Sequence, residues 1–178
     1  AQVFLGGVGP HADELEHGMV LVRDGNPIWV GGLGLADKAS GRKVDADTAF
    51  RIGSISKSFL AIAILRQVER GTMHLDDKLS DIAPEIAIDN PWEATDPVRL
   101  VHVLEHTAGF DDMHFRHMRP DPAAHGTLQQ MRLFAPEFHV RWRPGERMSY
   151  SNPGYGLAAY LLEKTTGRRA QDVIDDEV

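Results

Sequence analysis

Seven consecutive residues, Phe59 to Leu65, are apolar, and Val68 extends the run beyond its first polar interruption. Such a segment is hydrophobic nearly all round when wound as a helix, so it belongs at the centre of a core. Arg66 and Arg70 suit a helix C-terminus and Gly71 suits the position just past it, which predicts a central helix from about Ser54 to Arg70. Ahead of it, Ala49-Phe50-Arg51-Ile52-Gly53 reads as a short strand ending in a permissive glycine.

The start of this helix carries chemistry. Ser54 and Lys57 stand at i and i+3 and share one helical face, so an amine lies where it can exchange a proton with a hydroxyl. A serine hydroxyl is a poor nucleophile until a base takes its proton, and a helix start favours developing negative charge. The spacing alone is weak. Ser54 also fits as a simple helix cap, and Ser40-Gly41-Arg42-Lys43 repeats the pattern in what reads as a surface turn, followed by Val44-Asp45-Ala46-Asp47 without helical periodicity.

A second constellation lies downstream. Tyr150-x-Asn152 places a phenol and a carboxamide on nearby positions, between the turn signal Pro144-Gly145 and Pro153-Gly154, which is expected to end any regular element begun at Tyr150. Loops held between helices are common homes for catalytic side chains. Read separately, a tyrosine with a bonded hydroxyl and an asparagine turn account for these two residues. Together with Ser54 and Lys57 they form a coherent set.

These segments resemble the serine β-lactamase and penicillin-binding-protein superfamily, on the branch of class C β-lactamases, D,D-carboxypeptidases, D-aminopeptidases and related esterases. The likeness runs from about Gly18 to about Gly167. It passes through Gly31–Asp37, Phe50–Lys57, Leu75–Leu79, Leu104-Glu105-His106-Thr107-Ala108-Gly109, Pro144-Gly145-Glu146, Tyr150-Ser151-Asn152 and Thr166-Gly167. The resemblance implies that Ser54 is the nucleophile, Lys57 its partner, Tyr150 the counterpart of the class A serine, and Asn152 the holder of the substrate's acyl-side amide. It implies an α/β (α+β) fold of β-lactamase/transpeptidase type, with an antiparallel sheet, a buried helix and a helical subdomain. It also implies a third motif, Lys or His, then Ser or Thr, then Gly, on a strand well beyond Tyr150. Neither His125-Gly126-Thr127 nor Lys164-Thr165-Thr166-Gly167 fits it in order and place. The expectation is therefore the N-terminal portion of the catalytic unit, lacking its later strands and C-terminal helix. As an isolated chain it is expected to leave a sheet edge unpaired and a face of the Ser54 helix uncovered, for a second segment or chain to complete.

Organisation follows from punctuation. Met19–Arg23 and Ile28–Leu35 flank Asp24-Gly25-Asn26-Pro27, a hairpin signal. After Leu75 the pattern is helices and long loops, with Val98–Leu104 helical and Asp111–Ala124 an exposed excursion rich in Pro and His. Gly154–Thr165 is a helix with a stripe of Leu157, Ala158, Leu161 and Leu162. We divide the chain into residues 1–75, the sheet-and-helix part with the nucleophile helix, and 76–178, the helical part carrying Tyr150-x-Asn152.

Composition excludes several classes. The net charge is −7 and no basic run occurs, which argues against nucleic acid and anionic membrane as partners. Without cysteine there is neither disulfide nor thiol chemistry. No stretch reaches the roughly 18 apolar residues of a membrane span, and the first residues lack the pattern of a signal peptide. If a signal was removed the location is periplasmic or secreted, and otherwise cytoplasmic. Gly53–Ser58 lacks the glycines of a phosphate loop, and Gly32-Leu33-Gly34 reads as a hairpin end rather than a dinucleotide site. His102 and His106 are four apart on one helix, a spacing that can hold zinc, but no third ligand is evident and no metal is expected.

The function read from this pattern is acyl transfer through Ser54 on a small-molecule or peptide-like amide, β-lactam or ester, without metal or organic cofactor. The alternative is a non-catalytic relative that binds a peptide-like ligand or partner. Tyrosine and lysine have reference pKa values of about 10 and 10.4, and a half-populated tyrosinate at pH 7 needs about 4 kcal/mol from its surroundings. A nearby ammonium at Lys57 can supply much of it, and a neutral Lys57 that passes the Ser54 proton onward reaches the same end.

Overall fold

In a computed structural model of the chain, which describes residues 2–6, 17–113 and 127–178, Asp24 and Gly25 both take positive φ, 50° and 77°. That backbone is what a tight two-residue hairpin turn requires. It joins β2 (His17–Arg23) to β3 (Asn26–Leu33), and β1 (Gln2–Gly6) pairs with the other edge of β2, giving the antiparallel order β1-β2-β3. The turn is shorter than the four-residue signal suggested, because Asn26 and Pro27 join β3 opposite Arg23 and Val22. A register shift at Leu21/Val22 leaves Ile28 as an extra residue. Gly34 (φ 85°) then breaks the expected Ile28–Leu35 strand, and β4 (Leu35–Asp37) pairs with β5 (Arg42–Lys43).

These strands lie in the first of two units, residues 1–56; the second is residues 57–178. The cross-strand pair Gly18 and Gly32 explains how side chains sit against this small sheet. A Cβ on Gly18 would come within 2.8 Å of the Phe50 ring, and one on Gly32 within 2.1 Å of Val44. The missing side chains are the space that those two residues use. On β3, Ile28, Trp29, Val30 and Leu33 are exposed, and among the described residues β3 pairs with β2 alone.

The strand expected over Ala49–Gly53 does not form. Among the described residues no strand pairs with it, Ile52 is already helical (φ −79°, ψ −3°), and its carbonyl accepts from the Ile55 N–H. A 3₁₀ turn, Gly53–Ile55, leads into α1 (Ser56–Glu69). Ser54 thus sits in the tight turn before the α-helix.

α1 ends as the sequence implies. Gly71 is left-handed (φ 73°), its N–H bonds the Val68 carbonyl, and the Thr72 N–H bonds the Gln67 carbonyl at 3.0 Å. This is the Schellman pairing that glycine favours. The helix is apolar nearly all round, yet one face is uncovered, as expected for the chain by itself. Leu60, Ala63, Ile64 and Gln67 are buried, while Phe59, Ile62 and Leu65 are 39%, 43% and 47% exposed.

In the second unit, α2 (Leu79–Ile82), α3 (Leu100–Leu104), α4 (Thr127–Leu133), α5 (Asn152–Thr166) and α6 (Ala170–Glu177) enclose one core. α5 is its centre. The stripe Leu157, Ala158, Leu161 and Leu162 is wholly buried and meets α3, α4 and α6. The Phe110 and Phe138 rings fill the space near its first turn, 5.1 Å apart. Pro153 does not end an element here. Ser151 caps α5 by accepting the Gly154 N–H at 3.1 Å, which puts Asn152 and Pro153 in the first turn, where a proline's missing N–H costs nothing. The excursion expected over Asp111–Ala124 falls, from His114 on, outside the described residues.

Candidate active site

Two backbone segments of the second unit are laced together, one following α3 and the other leading into α5. α3 ends in the hydrogen-bond pattern of a Schellman motif, the His106 N–H to Val103 and the Thr107 N–H to His102 (2.7 Å). The left-handed position that glycine normally takes is held by His106 (φ 60°). A side chain there costs about 1–2 kcal/mol, and the surroundings show what holds it. The His106 carbonyl accepts the Ser149 N–H at 2.8 Å, and its Nδ1 accepts the Ser151 N–H at 3.1 Å. Its ring lies against Tyr150, with centroids 4.4 Å apart, and against Tyr155 at 5.0 Å. One strained histidine thus grips the residues on both sides of Tyr150 and the phenol itself.

Arg141 ties the same segments together. It donates to the carbonyls of Gly109 (3.0 Å) and Phe110 (2.6 Å) and to Ser149 Oγ (2.6 Å). The Ser151 hydroxyl donates to the Asp111 carbonyl at 2.9 Å. Tyr155 is anchored by its hydroxyl to the Leu104 carbonyl at 2.9 Å, and burial, with Tyr150 nearby, raises its pKa.

Into this frame α1 brings Lys57. Its Nζ donates to Asn152 Oδ1 at 2.7 Å, across 95 residues of sequence, and stands 4.9 Å from the centroid of the Tyr150 ring and 5.7 Å from that of Tyr155. At the other end of the same carboxamide, Asn152 Nδ2 donates to Asp112 Oδ1 (3.0 Å) and Oδ2 (3.3 Å). The Asn152 backbone N–H also bonds Asp112 Oδ1, at 2.8 Å. Burial works to raise the Asp112 carboxyl. The Asn152 and Met113 backbone N–H groups, the Asn152 amide and Lys57 outweigh it and hold it below its ordinary value.

Three of the four residues singled out from the sequence, Lys57, Tyr150 and Asn152, are therefore brought together within the second unit. Ser54 lies in the first unit, in the turn that runs into α1. Ser40 and Lys43 lie elsewhere. Ser40 Oγ donates to Asp37 at 2.6 Å, and Lys43 is exposed on β5, paired opposite Leu35 rather than in a turn.

Asp112 was not visible in the sequence, where it is one acid among many on a loop. Its meaning comes from the fold that carries it to Asn152. His102 and His106 act as hydrogen-bond acceptors. His102 Nδ1 takes the Arg99 N–H at 3.2 Å at the start of α3, and burial lowers the pKa of both rings, helped by Arg99 at His102 and by Lys57 at His106. Among the described residues no group of three or more His, Asp or Glu side chains is placed to hold a metal ion, and no helix is long and apolar enough to cross a membrane.

The family model described as Beta-lactamase matches residues 13–178. A Beta-lactamase of Yersinia enterocolitica is 30% identical over 141 residues, which are 79% of this chain and 34% of that protein. Esterase EstB of Burkholderia gladioli is 35% identical over 91 residues, 51% of this chain and 23% of that protein. Among solved structures, the octameric penicillin-binding protein homologue from Pyrococcus abyssi matches with a TM-score of 0.77 and 26% identity, over 90% of this chain and 37% of that one. The chain spans between about a quarter and just over a third of the length of these relatives.

Proposed function

Since the chain belongs to the Beta-lactamase family and has its β-lactamase/transpeptidase-like α/β fold, we propose that it carries the nucleophile and the acid–base pair of a serine hydrolase. Ser54 Oγ attacks the carbonyl carbon of an amide, a β-lactam or an ester, and its proton passes to the Lys57–Tyr150 pair. The tetrahedral oxyanion collapses, the bond to the leaving nitrogen or oxygen breaks, and the pair returns its proton to that atom. Ser54 is left acylated. Water, deprotonated by the same pair, then attacks the acyl-enzyme ester, and Ser54 recovers its hydrogen as the acid departs. Asn152 presents its carboxamide to the acyl side of the substrate.

The observation that carries this reading is the 2.7 Å bond from Lys57 Nζ to Asn152 Oδ1. It joins two motifs that the sequence keeps far apart, and the Tyr150 ring lies beside the same amine. A lysine held only for structure has no need of a phenol and an oriented carboxamide together. The relatives, a β-lactamase, an esterase and a penicillin-binding protein homologue, support a substrate open to acyl transfer.

The test is covalent labelling of the full-length protein with a fluorescent penicillin and, separately, a phosphonate ester. An adduct mapped by mass spectrometry to Ser54, and lost in Ser54→Ala, is the expected result. An adduct on Ser56, Ser58 or Ser151 would move the nucleophile. No adduct, with reversible binding of a peptide-like ligand retained, would favour the non-catalytic alternative.

A further inference from the structure

The geometry points to Asp112 as a positioning residue for the acyl-transfer site, one that sets which end of the Asn152 carboxamide faces Lys57; the inference rests on the function proposed above. A carboxamide can be turned over about its last bond, exchanging oxygen for NH₂ with little change in shape. Lys57 offers only donors when it is an ammonium, so it needs Oδ1. A carboxylate offers only acceptors, so Asp112 can bond only the NH₂. The acceptor at Asp112 and the donor at Lys57 therefore demand the same orientation: Asp112 Oδ1 at 3.0 Å from Nδ2, and Oδ1 of Asn152 at 2.7 Å from Nζ.

Asp112 is itself held. Its Oδ1 accepts the backbone N–H groups of Met113 and Asn152, both at 2.8 Å. The second of these fixes the first residue of α5, so the carboxylate locates Asn152 along the chain as well as turning its amide. It also places a negative charge beyond the amide from Lys57. Also near that amine are the His106 ring, whose pKa burial and Lys57 lower, and the phenols of Tyr150 and Tyr155. Asp112 places a negative charge on the far side of the Lys57–Asn152 pair.

Asp112→Asn separates the two roles. A carboxamide at this position can still accept both backbone N–H groups through one oxygen. Its NH₂ then faces the Asn152 NH₂ from the place of Oδ2, now 3.3 Å away. Two donors cannot bond, so the Asn152 NH₂ keeps only the oxygen in the place of Oδ1, at 3.0 Å, and loses both its second acceptor and the charge that oriented it. The test uses the acylation burst of the full-length protein with p-nitrophenyl acetate, a substrate with no acyl-side amide. The expected result is a burst slowed by roughly 10- to 100-fold, the cost of a reacting group displaced by about an ångström, with Tm little changed. The acid limb of the pH–rate profile should also move to lower pH, because the negative charge behind the proton-accepting pair is gone. Adding Asn152→Asp to Asp112→Asn exchanges the two side chains, keeps an acceptor at Lys57 and returns a negative charge beside it, and should recover part of the rate and return the limb.

A wild-type burst and profile in Asp112→Asn, with Ser54→Ala inactive, would overturn the role of Asp112 and leave the nucleophile in place. Slowing with an unmoved acid limb and no recovery in the double variant would reduce Asp112 to a structural residue and overturn it equally. A full burst in Ser54→Ala would remove the proposed function and this inference with it. If Asp112→Asn does not fold, Asp112→Glu decides: a slower burst with the limb in place supports the assignment, and an unchanged burst sinks it.

Discussion

Lys57 and Lys43 each follow a serine by three residues, and the chain around them makes the two pairs unlike. Ser40 closes a local turn onto Asp37 at 2.6 Å, and Lys43 projects from an exposed two-residue strand. Every contact of Ser40 that can be described is with a residue close in sequence. Lys57 instead bonds Asn152 across 95 residues and lies beside two phenols. The difference is one of framework. A tight turn in solvent leaves its side chains hydrated, and an ion there is screened. A helix that buries one face in a core can hold an amine against groups brought from far along the chain. Spacing proposes a site, and a rigid partner from another part of the chain makes it one.

The sharpest way to break this comparison is to delete each amine. Lys57→Ala should slow acylation of the full-length protein by roughly 10²- to 10⁴-fold, the scale of a lost general base. Lys43→Ala should leave the rate unchanged. Equal losses in the two variants would show that the spacing, and not the framework, is what matters.

Next in size is the phenol. Tyr150→Phe should slow acylation by a similar or smaller factor, and its combination with Lys57→Ala should fall far short of the product of the two. Residues that move one proton together are not additive. Full activity in Tyr150→Phe would leave Lys57 as the only base, and a multiplicative double variant would mean that the two act independently.

His106 sharpens the comparison from the side of the frame. His106→Ala and His106→Gly should both lower the acylation rate, by roughly tenfold, since each frees the segment around Tyr150. The glycine variant should be the more stable of the two by about 1 kcal/mol, because glycine carries no Cβ into the left-handed backbone. The same ring makes stability depend on pH. Its pKa lies below the ordinary 6.5, owing to burial and then to Lys57, so on acidification the unfolded chain takes up the proton first. The stabilisation from the neutral ring is full above about pH 6.5 and is lost as the pH falls from there through the folded value. Thermal unfolding between pH 7.5 and 5 should therefore show a decline in Tm that is shallower in His106→Ala. The remaining slope should include His102, whose pKa burial also lowers. The same slope in variant and wild type would take His106 out of this role.

The smallest expected effect is at the other serine. Ser40→Ala removes an exposed bond within a turn and should change stability by no more than about 0.5 kcal/mol, with the acylation rate intact. Chemical denaturation and the same burst assay read both. A loss of activity would show that the turn matters to the site.

Local order is legible in the sequence alone. The hairpin at Asp24-Gly25, the end of α1 at Gly71 and the buried stripe of α5 each follow from side chains that a single stretch of backbone must satisfy by itself. Glycine takes a left-handed turn at no steric cost, and a stripe of Leu157, Ala158, Leu161 and Leu162 has one way to leave water. The differences arise where a local rule meets a longer-range fact. Ala49–Gly53 has strand composition and, among the described residues, no strand paired with it, and Pro153 reads as a breaker although the Ser151 cap places it in the first turn of α5.

What the sequence determined by itself was a set of candidate groups, Ser54, Lys57, Tyr150 and Asn152, and the helix that bears Lys57; it put Ser54 on that helix rather than in the turn before it, and Asn152 in a loop rather than in the first turn of α5. What only the tertiary structure decided was their electrostatic and hydrogen-bonded setting. A glycine-type position filled by His106, and an acid at Asp112 that reads as any loop acid, acquire meaning because the segment after α3 is folded against the segment before α5. Those contacts join residues some 40 apart, as in the bond from Asp112 to Asn152. No rule of spacing spans such a distance; the partners are chosen by which surfaces the buried core brings face to face.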